Sequence, residues 1–293
     1  MSLVKIMPTF FVAMIAAADV PSKLELPLTH EQMAGRRTPT ECYGSFLIPG
    51  NDTTGQATLS HYSQTGQKSY RIEYPGSVRT IIMSAHCSQS SDFLAFSGSA
   101  EDSKGNGVRF IGVLELATNA LQFSQTNEFT AKHILVLANS TILAFGHEDI
   151  VAGKSRRDQN LIRIFDKTGK KLLATTSYRT LGIDHSLTSK SIVATDGRVA
   201  VLYSIIDNQL LSVDSSGKVL QLQAVPVGER EEVNGIAACS DGIYLSSVQS
   251  RVPKARRVLT ESTIEMLDAK LWFGDANWGK FYGCAGGDKL IKR

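Results

Sequence analysis

Two groups of side chains in this 293-residue chain have the types that chemistry needs. The first is basic. Arg156 and Arg157, then Arg179, then Arg251, Lys254, Arg256 and Arg257 come from three separate stretches. Guanidinium forks grip carboxylates and phosphates in pairs, so these residues brought onto one surface would form a rim for an anion or an acidic polymer. Glu148, Asp149 and Asp158 share the first stretch and offset part of its charge, and Trp278 is a further candidate contact. The second group holds oxygen and nitrogen donors: His147-Glu148-Asp149, Asp184-His185, Asn234, and Asn277 beside Asp275. Of these, Asp184, His185, Asn234 and Asn277 are the candidate ligands for a divalent cation such as Ca, with His185 able to act on a bound water.

Neither group has a diagnostic spacing, and His and Asp in Gly-rich loops also cap turns. No G-x-S-x-G elbow, H-E-x-x-H pair or P-loop occurs, and "GHEDI" (146–150) lacks the second His of a zinc helix. No catalytic residue can be named from sequence. A shared site therefore requires a fold that gathers distant loops.

The elements that would do so repeat. "IFDKTGKKLL" (164–173) and "SVDSSGKVLQL" (212–222) share an apolar strand, an Asp, a polar pair, a Gly and a Lys before apolar residues resume. Strand, tight turn, strand recurs around Gly66, Asn119, Gly169, Gly217 and Ala269, in steps of 53, 50, 48 and 52 residues. Gly or Asn at the turn supplies the positive φ that short hairpins need. A second series, rich in small residues, lies between: 88–99, 134–146, 191–204, 235–248 and 281–291. Each period thus holds two hairpins, and four strands per fifty residues predicts an all-β propeller of five or six four-stranded blades. Counted along the chain, the hairpin at Gly66 lacks an inner partner and the hairpin at 281–291 lacks an outer one. Their pairing would close the ring by joining N-terminal and C-terminal strands, or a sixth blade begins in 24–56, where "YGSFLIPG" reads as a strand. A β-sandwich with coincidental hairpins is the competing architecture. Residues 252–268 fit strand and helix alike, and the period favours strand.

"LIRIFDKTGKKLL" and "SDGIYLSS" resemble the blades of NHL and TolB-like β-propellers, although no copy carries the Asn-His-Leu triplet. The resemblance implies a ring with its short turns on one face. The donor group in outline resembles the senescence-marker and gluconolactonase-like propellers, which implies a metal at the channel mouth and a hydrolase or lactonase activity. The variable connections, 99–107, 146–160, 178–190, 227–234, 249–257 and 274–280, would then share the other face, where function tends to sit.

The N-terminus reads as an address. Lys5, an apolar run from Ile6 and Ala16-Ala17-Ala18 predict a signal peptide over 1–18, with an N-terminal extension over 19–44 and the propeller domain over 45–293. Cys42, Cys87, Cys239 and Cys284 are an even number and allow three pairings, among them Cys42 with Cys284 across the chain ends. A formal net charge of +3 predicts no nucleic-acid partner, and no later apolar run predicts membrane insertion after cleavage. The expectation is a secreted or periplasmic, non-catalytic propeller that binds a protein or polysaccharide through its long-loop face and needs no cofactor. The alternative is a divalent-metal-dependent hydrolase or lactonase. Sequence gives no oligomeric state.

Overall fold

The computed structural model describes residues 40–275, apart from 44, 64–65, 127, 153–154, 178–190, 206–207, 226, 228–230, 240–241, 251–258 and 267–273. Twenty strands form five antiparallel sheets of four, each built from consecutive strands. The first sheet holds β1 (Thr40–Cys42), β2 (Ser45–Asn51), β3 (Ala57–Ser63) and β4 (Gly66–Ile72). The second holds β5 (Arg79–Cys87), β6 (Phe93–Glu101), β7 (Gly107–Glu115) and β8 (Leu121–Gln125). The third holds β9 (Phe129–Val136), β10 (Ile142–Ala152), β11 (Ser155–Phe165) and β12 (Leu172–Ser177). The fourth holds β13 (Ser191–Thr195), β14 (Val199–Ser204), β15 (Gln209–Asp214) and β16 (Val219–Ala224). The fifth holds β17 (Glu231–Cys239), β18 (Gly242–Ser250), β19 (Leu259–Met266) and β20 (Gly274–Asp275).

The period-two rule explains why the sheets stack. In β10, Ile142 and Ala144 join the apolar cluster shared with the second sheet, while Leu143 and Phe145 join the cluster shared with the fourth. In β14, Ala200 and Leu202 face back to the third sheet, and Val201 and Tyr203 face forward to the fifth. A sheet that is apolar on both faces stays in solution only when both are covered. Along the first strands, β1 touches β5, β5 touches β9, β9 touches β13 and β13 touches β17.

The turns at Asn119, Gly169 and Gly217 fall where the repeat places them, between the third and fourth strands of their sheets. Each closes on the residue that begins its motif: Gly217 N–H donates to the Asp214 carbonyl at 3.0 Å, and Gly169 N–H to that of Asp166 at 2.9 Å. The carboxylate finishes the turn, since Asp214 Oδ1 accepts from the Ser216 amide, the Ser216 hydroxyl and the Lys218 amide at 2.8, 2.7 and 3.0 Å. Asp52 and Asp102 build the same turn between second and third strands, each accepting two backbone amides through Oδ1. The turn also docks. A methyl on Gly169 would lie 3.2 Å from Ile111 of the second sheet, and one on Gly217 would lie 3.0 Å from Ile164 of the third.

Several expectations change. β2 takes the inner edge of β3, so the hairpin at Gly66 is completed by 40–51 rather than by 281–291, which lies outside the described residues. "YGSFLIPG" does supply a strand, β2, and β1 begins inside the stretch read as an extension. The connection 146–160 is no loop: β10 and β11 pair from Ile142↔Phe165 to Ala152↔Ser155. The connection 99–107 is a five-residue hairpin turn around Asp102, and 231–234 belongs to β17. Residues 259–266 form β19, a strand as the period requires. Cys87 is disulfide-bonded, whereas Cys284 lies outside the described residues. Ala269 and 1–39 also lie outside them.

Two outcomes follow for stability. Gly169→Ala and Gly217→Ala should each cost about 1–2 kcal/mol, because both positions have positive φ, and chemical denaturation measures it. The Asn106 side chain and backbone amides hold the Asp102 carboxyl below its usual range, as the Ser216 hydroxyl and amides do for Asp214. Their contribution is therefore complete above the ordinary aspartate pKa of 3.8 and fades as pH falls below it. Asp102→Asn with Asp214→Asn should lower the melting temperature at pH 7 and reduce its further fall below pH 4.

Candidate functional site

The first strand of each sheet has one edge paired with the second strand and one edge left over. An exposed edge invites further pairing, and its amides need acceptors. On β9 an acceptor comes from β5: the Ile134 amide donates to Ser84 Oγ at 3.0 Å, while the Val136 amide lies 3.3 Å from His86 Nδ1, a nitrogen that also faces the Cys87 carbonyl at 2.9 Å. Tyr43, in the β1–β2 turn, donates its phenol to the Val136 carbonyl at 2.8 Å. Its ring meets His86 edge to face, with centroids 5.5 Å apart.

That bond fixes the shape of the stack. Face-to-face sheets lie about 10 Å apart, so in a flat stack the first and third would be separated by about 20 Å, beyond the reach of a tyrosine. Tyr43 of the first sheet nonetheless bonds Val136 of the third, and its hydroxyl would lie 3.3 Å from a methyl on Gly197 of the fourth. The sheets therefore curl about an axis with their first strands inside. Tyr43, His86, Gln89 and Gly197 gather at the end where first strands turn into second strands.

Along the inner wall three first strands break rhythm. In β5 the register passes from Ile82↔Gly98 to Ser84↔Ser97 and skips Met83. In β9 it passes from Ala131↔Gly146 to His133↔Phe145 and skips Lys132. In β17 it passes from Val233↔Ser247 to Gly235↔Ser246 and skips Asn234. Each is a β-bulge, a device that re-aims side chains and concentrates near binding sites. Gly98 and Gly146 make room for two of them, since a methyl there would collide with the carbonyls of Ile81 and Thr130. Met83 keeps 37% of its surface exposed although it lies on an inner strand, and Lys132 is half-buried. Beside Lys132, His133 Nε2 lies 2.8 Å from Ser191 Oγ on β13, a tie between third and fourth sheets.

Two of these imidazoles are uncharged at neutral pH. Complete burial pushes His86 down to about 4, and the Cys87 carbonyl 2.9 Å from Nδ1 only partly opposes this. Desolvation, aided by the Lys132 charge, pushes His133 down to about 4 as well. His61, 3.0 Å from Ser45 Oγ, is lowered by burial too. On the other end of the third sheet, Arg163 bonds Glu148 at 2.8 Å and its guanidinium lies 4.5 Å from the centre of the Phe129 ring.

The expected site residues distribute unevenly. Asn234 is the bulged residue of β17, on the inner wall. Glu148 belongs to the ion pair with Arg163. Arg156 and Arg157 stand in β11 opposite Val151 and Ile150. Among the described residues, β9 pairs with the hairpin as far as Glu148 and β12 as far as Leu161. Four further rungs, Asp149↔Asp158 to Ala152↔Ser155, continue as a ribbon of β10 and β11 on the end opposite Tyr43. Arg179, Arg251, Lys254, Arg256, Arg257, Trp278, Asp184, His185 and Asn277 lie outside the described residues. Among the described residues, no three His, Cys, Asp or Glu side chains are grouped as a metal site. Sequence reading missed Met83, Lys132 and the Tyr43–His86 contact. Only the paired glycines opposite the bulges hinted at them.

No family model matches the chain, and no curated protein matches it. Solved structures do resemble it. The β-propeller domain of the Trilobed protease from Pyrococcus furiosus matches with a TM-score of 0.47 and 11% identity, over 82% of this chain and 86% of that one. Streptogramin B lyase matches at 0.43 and 12%, over 89% and 88%. An acylaminoacyl peptidase matches at 0.47 and 8% over 85% of this chain, which spans 48% of the peptidase's length.

Burial of neutral His86 and His133 predicts a pH dependence distinct from that of the aspartates. Unfolded histidine takes a proton near pH 6.5 and the folded rings near 4, so stability is complete above 6.5 and falls as pH drops from 6.5 to 4. Denaturant midpoints across that range should show the loss, and a flat profile would contradict the buried, neutral rings.

Proposed function

We propose that this protein is a secreted or periplasmic β-propeller that binds a protein or polysaccharide partner, without catalysis, on the face opposite Tyr43. In this reading the five sheets form one closed ring. The observation that carries it is the crowding at one end of the axis: Tyr43 reaches across to the Val136 carbonyl and packs on His86 there, which favours the end bearing the β10–β11 ribbon as the approach for a ligand. The ribbon sets Arg156 and Arg157 beyond the body of their sheet, a basic position suited to acidic groups. The disulfide at Cys87 supports an exported protein, since such bonds persist outside the reducing cytosol.

Replacing 150–157 by Asn-Gly, a two-residue turn between the paired Asp149 and Asp158, shortens the ribbon without touching the sheet. Immobilised protein should retain heparin or alginate at low salt, and the shortened variant should release them while melting at an unchanged temperature. Equal retention by both would remove the ribbon from the binding face. A second reading, a divalent-metal-dependent hydrolase or lactonase using Asp184, His185, Asn234 and Asn277, draws support from one position: Asn234 is the bulged residue of β17, a first strand. Elemental analysis of dialysed protein tests it. A stoichiometric divalent ion favours it, and none counts against it.

A further inference from the structure

We infer that the inner wall holds a second, small-molecule site at which Lys132 receives the carboxylate of an organic acid that enters along the axis from the ribbon end. Lys132 is the skipped residue of the β9 bulge, half-buried on an innermost strand. Among the described residues no carboxylate lies in salt-bridge range of it, whereas Arg163, the other half-buried cation of that sheet, has both Glu148 and the Phe129 ring. A lysine with no counter-charge of its own keeps its ammonium free for an incoming anion. The neighbouring His133–Ser191 pair adds a hydroxyl and a neutral imidazole rather than further charge. Met83, open to solvent as the bulged residue of β5, offers a thioether surface to the body of the ligand. One ammonium with neutral hydrogen-bonding groups suits a monoanion. A phosphate dianion calls for more positive charge or a guanidinium fork.

This site goes beyond the partner face, because it needs neither the ribbon nor a polymer. The probes are glucuronate, glucose as its uncharged counterpart, benzoate and inorganic phosphate, followed by saturation-transfer NMR and titration calorimetry on the full chain. Wild-type protein should bind at least one of the two carboxylates and not glucose. Lys132→Gln should weaken that binding at least tenfold at an unchanged melting temperature, Lys132→Arg should restore most of it, and Met83→Ala should weaken benzoate more than glucuronate. Binding of neither carboxylate, binding undiminished in Lys132→Gln, or a preference for phosphate would overturn the assignment. The ribbon-shortened variant separates the two sites: it should keep carboxylate binding whether or not it keeps polymer retention. If Lys132→Gln alters folding, Lys132→Met provides the same test with the aliphatic stem retained.

Discussion

The second, third and fourth sheets are apolar on both faces, and this constraint governs the rest. A two-sided apolar sheet must be sandwiched, each added sheet brings a new bare face, and only curling the stack about an axis limits the exposure. The alternation within β6 shows the device in its simplest form: Leu94 and Phe96 pack toward the first sheet, Phe93 and Ala95 toward the third. Curling, in turn, crowds the first strands together and leaves their inner edges unpaired. The crowding favours small residues there, and the unpaired backbone groups meet Ser84, His86 and Tyr43, the last as a donor to the Val136 carbonyl. The crowding at one end of the axis is thus a consequence of how the sheets are covered.

The repeated Asp-Gly turn serves the same requirement from the rim. Its carboxylate satisfies amides that would otherwise face solvent or nothing, and the chain bends back with the glycine pressed on the preceding sheet. Thr176 of the third sheet donates to the Gly217 carbonyl at 3.0 Å, and Lys68 of the first sheet donates to the Asn119 side chain at 3.1 Å. The turn therefore registers one sheet against the last as well as one strand against the next. Glycine is needed at Gly169 and Gly217 for two reasons that coincide, positive φ and lack of space.

Sequence reveals what is periodic. The turns at Asn119, Gly169 and Gly217, the small-residue hairpins and the strand at 259–266 were legible because each obeys the fifty-residue repeat. Departures from the repeat were not. Around the ribbon, β10 carries His147, Glu148 and Asp149 and β11 carries Arg156, Arg157 and Asp158, which masks the alternation and reads as loop, yet the two strands pair up to Ala152↔Ser155. β1 has three residues, too few to display a pattern, so the first sheet looked incomplete. The bulges at Met83, Lys132 and Asn234 are single-residue insertions in strands, and alternation is the very signal they interrupt. Of the candidate site residues, Asn234 was recognised by type alone, since its place in a bulge exists only in register.

The bulges also separate structural charge from available charge. Arg163 and Lys132 are both half-buried cations of the third sheet. Arg163 lies on a regular strand, and the register delivers its partners: Phe129 and Glu148 face each other across β9 and β10. A charge compensated in this way contributes to packing and has little left to offer a ligand. Lys132 has left the register, so no cross-strand position supplies a counter-charge. A bulge costs ladder hydrogen bonds, and here it also leaves a cation without a partner. These two departures at one residue contrast with the consistency of the surrounding sheets. Such inconsistency in a well-packed fold marks positions kept for what they meet from outside.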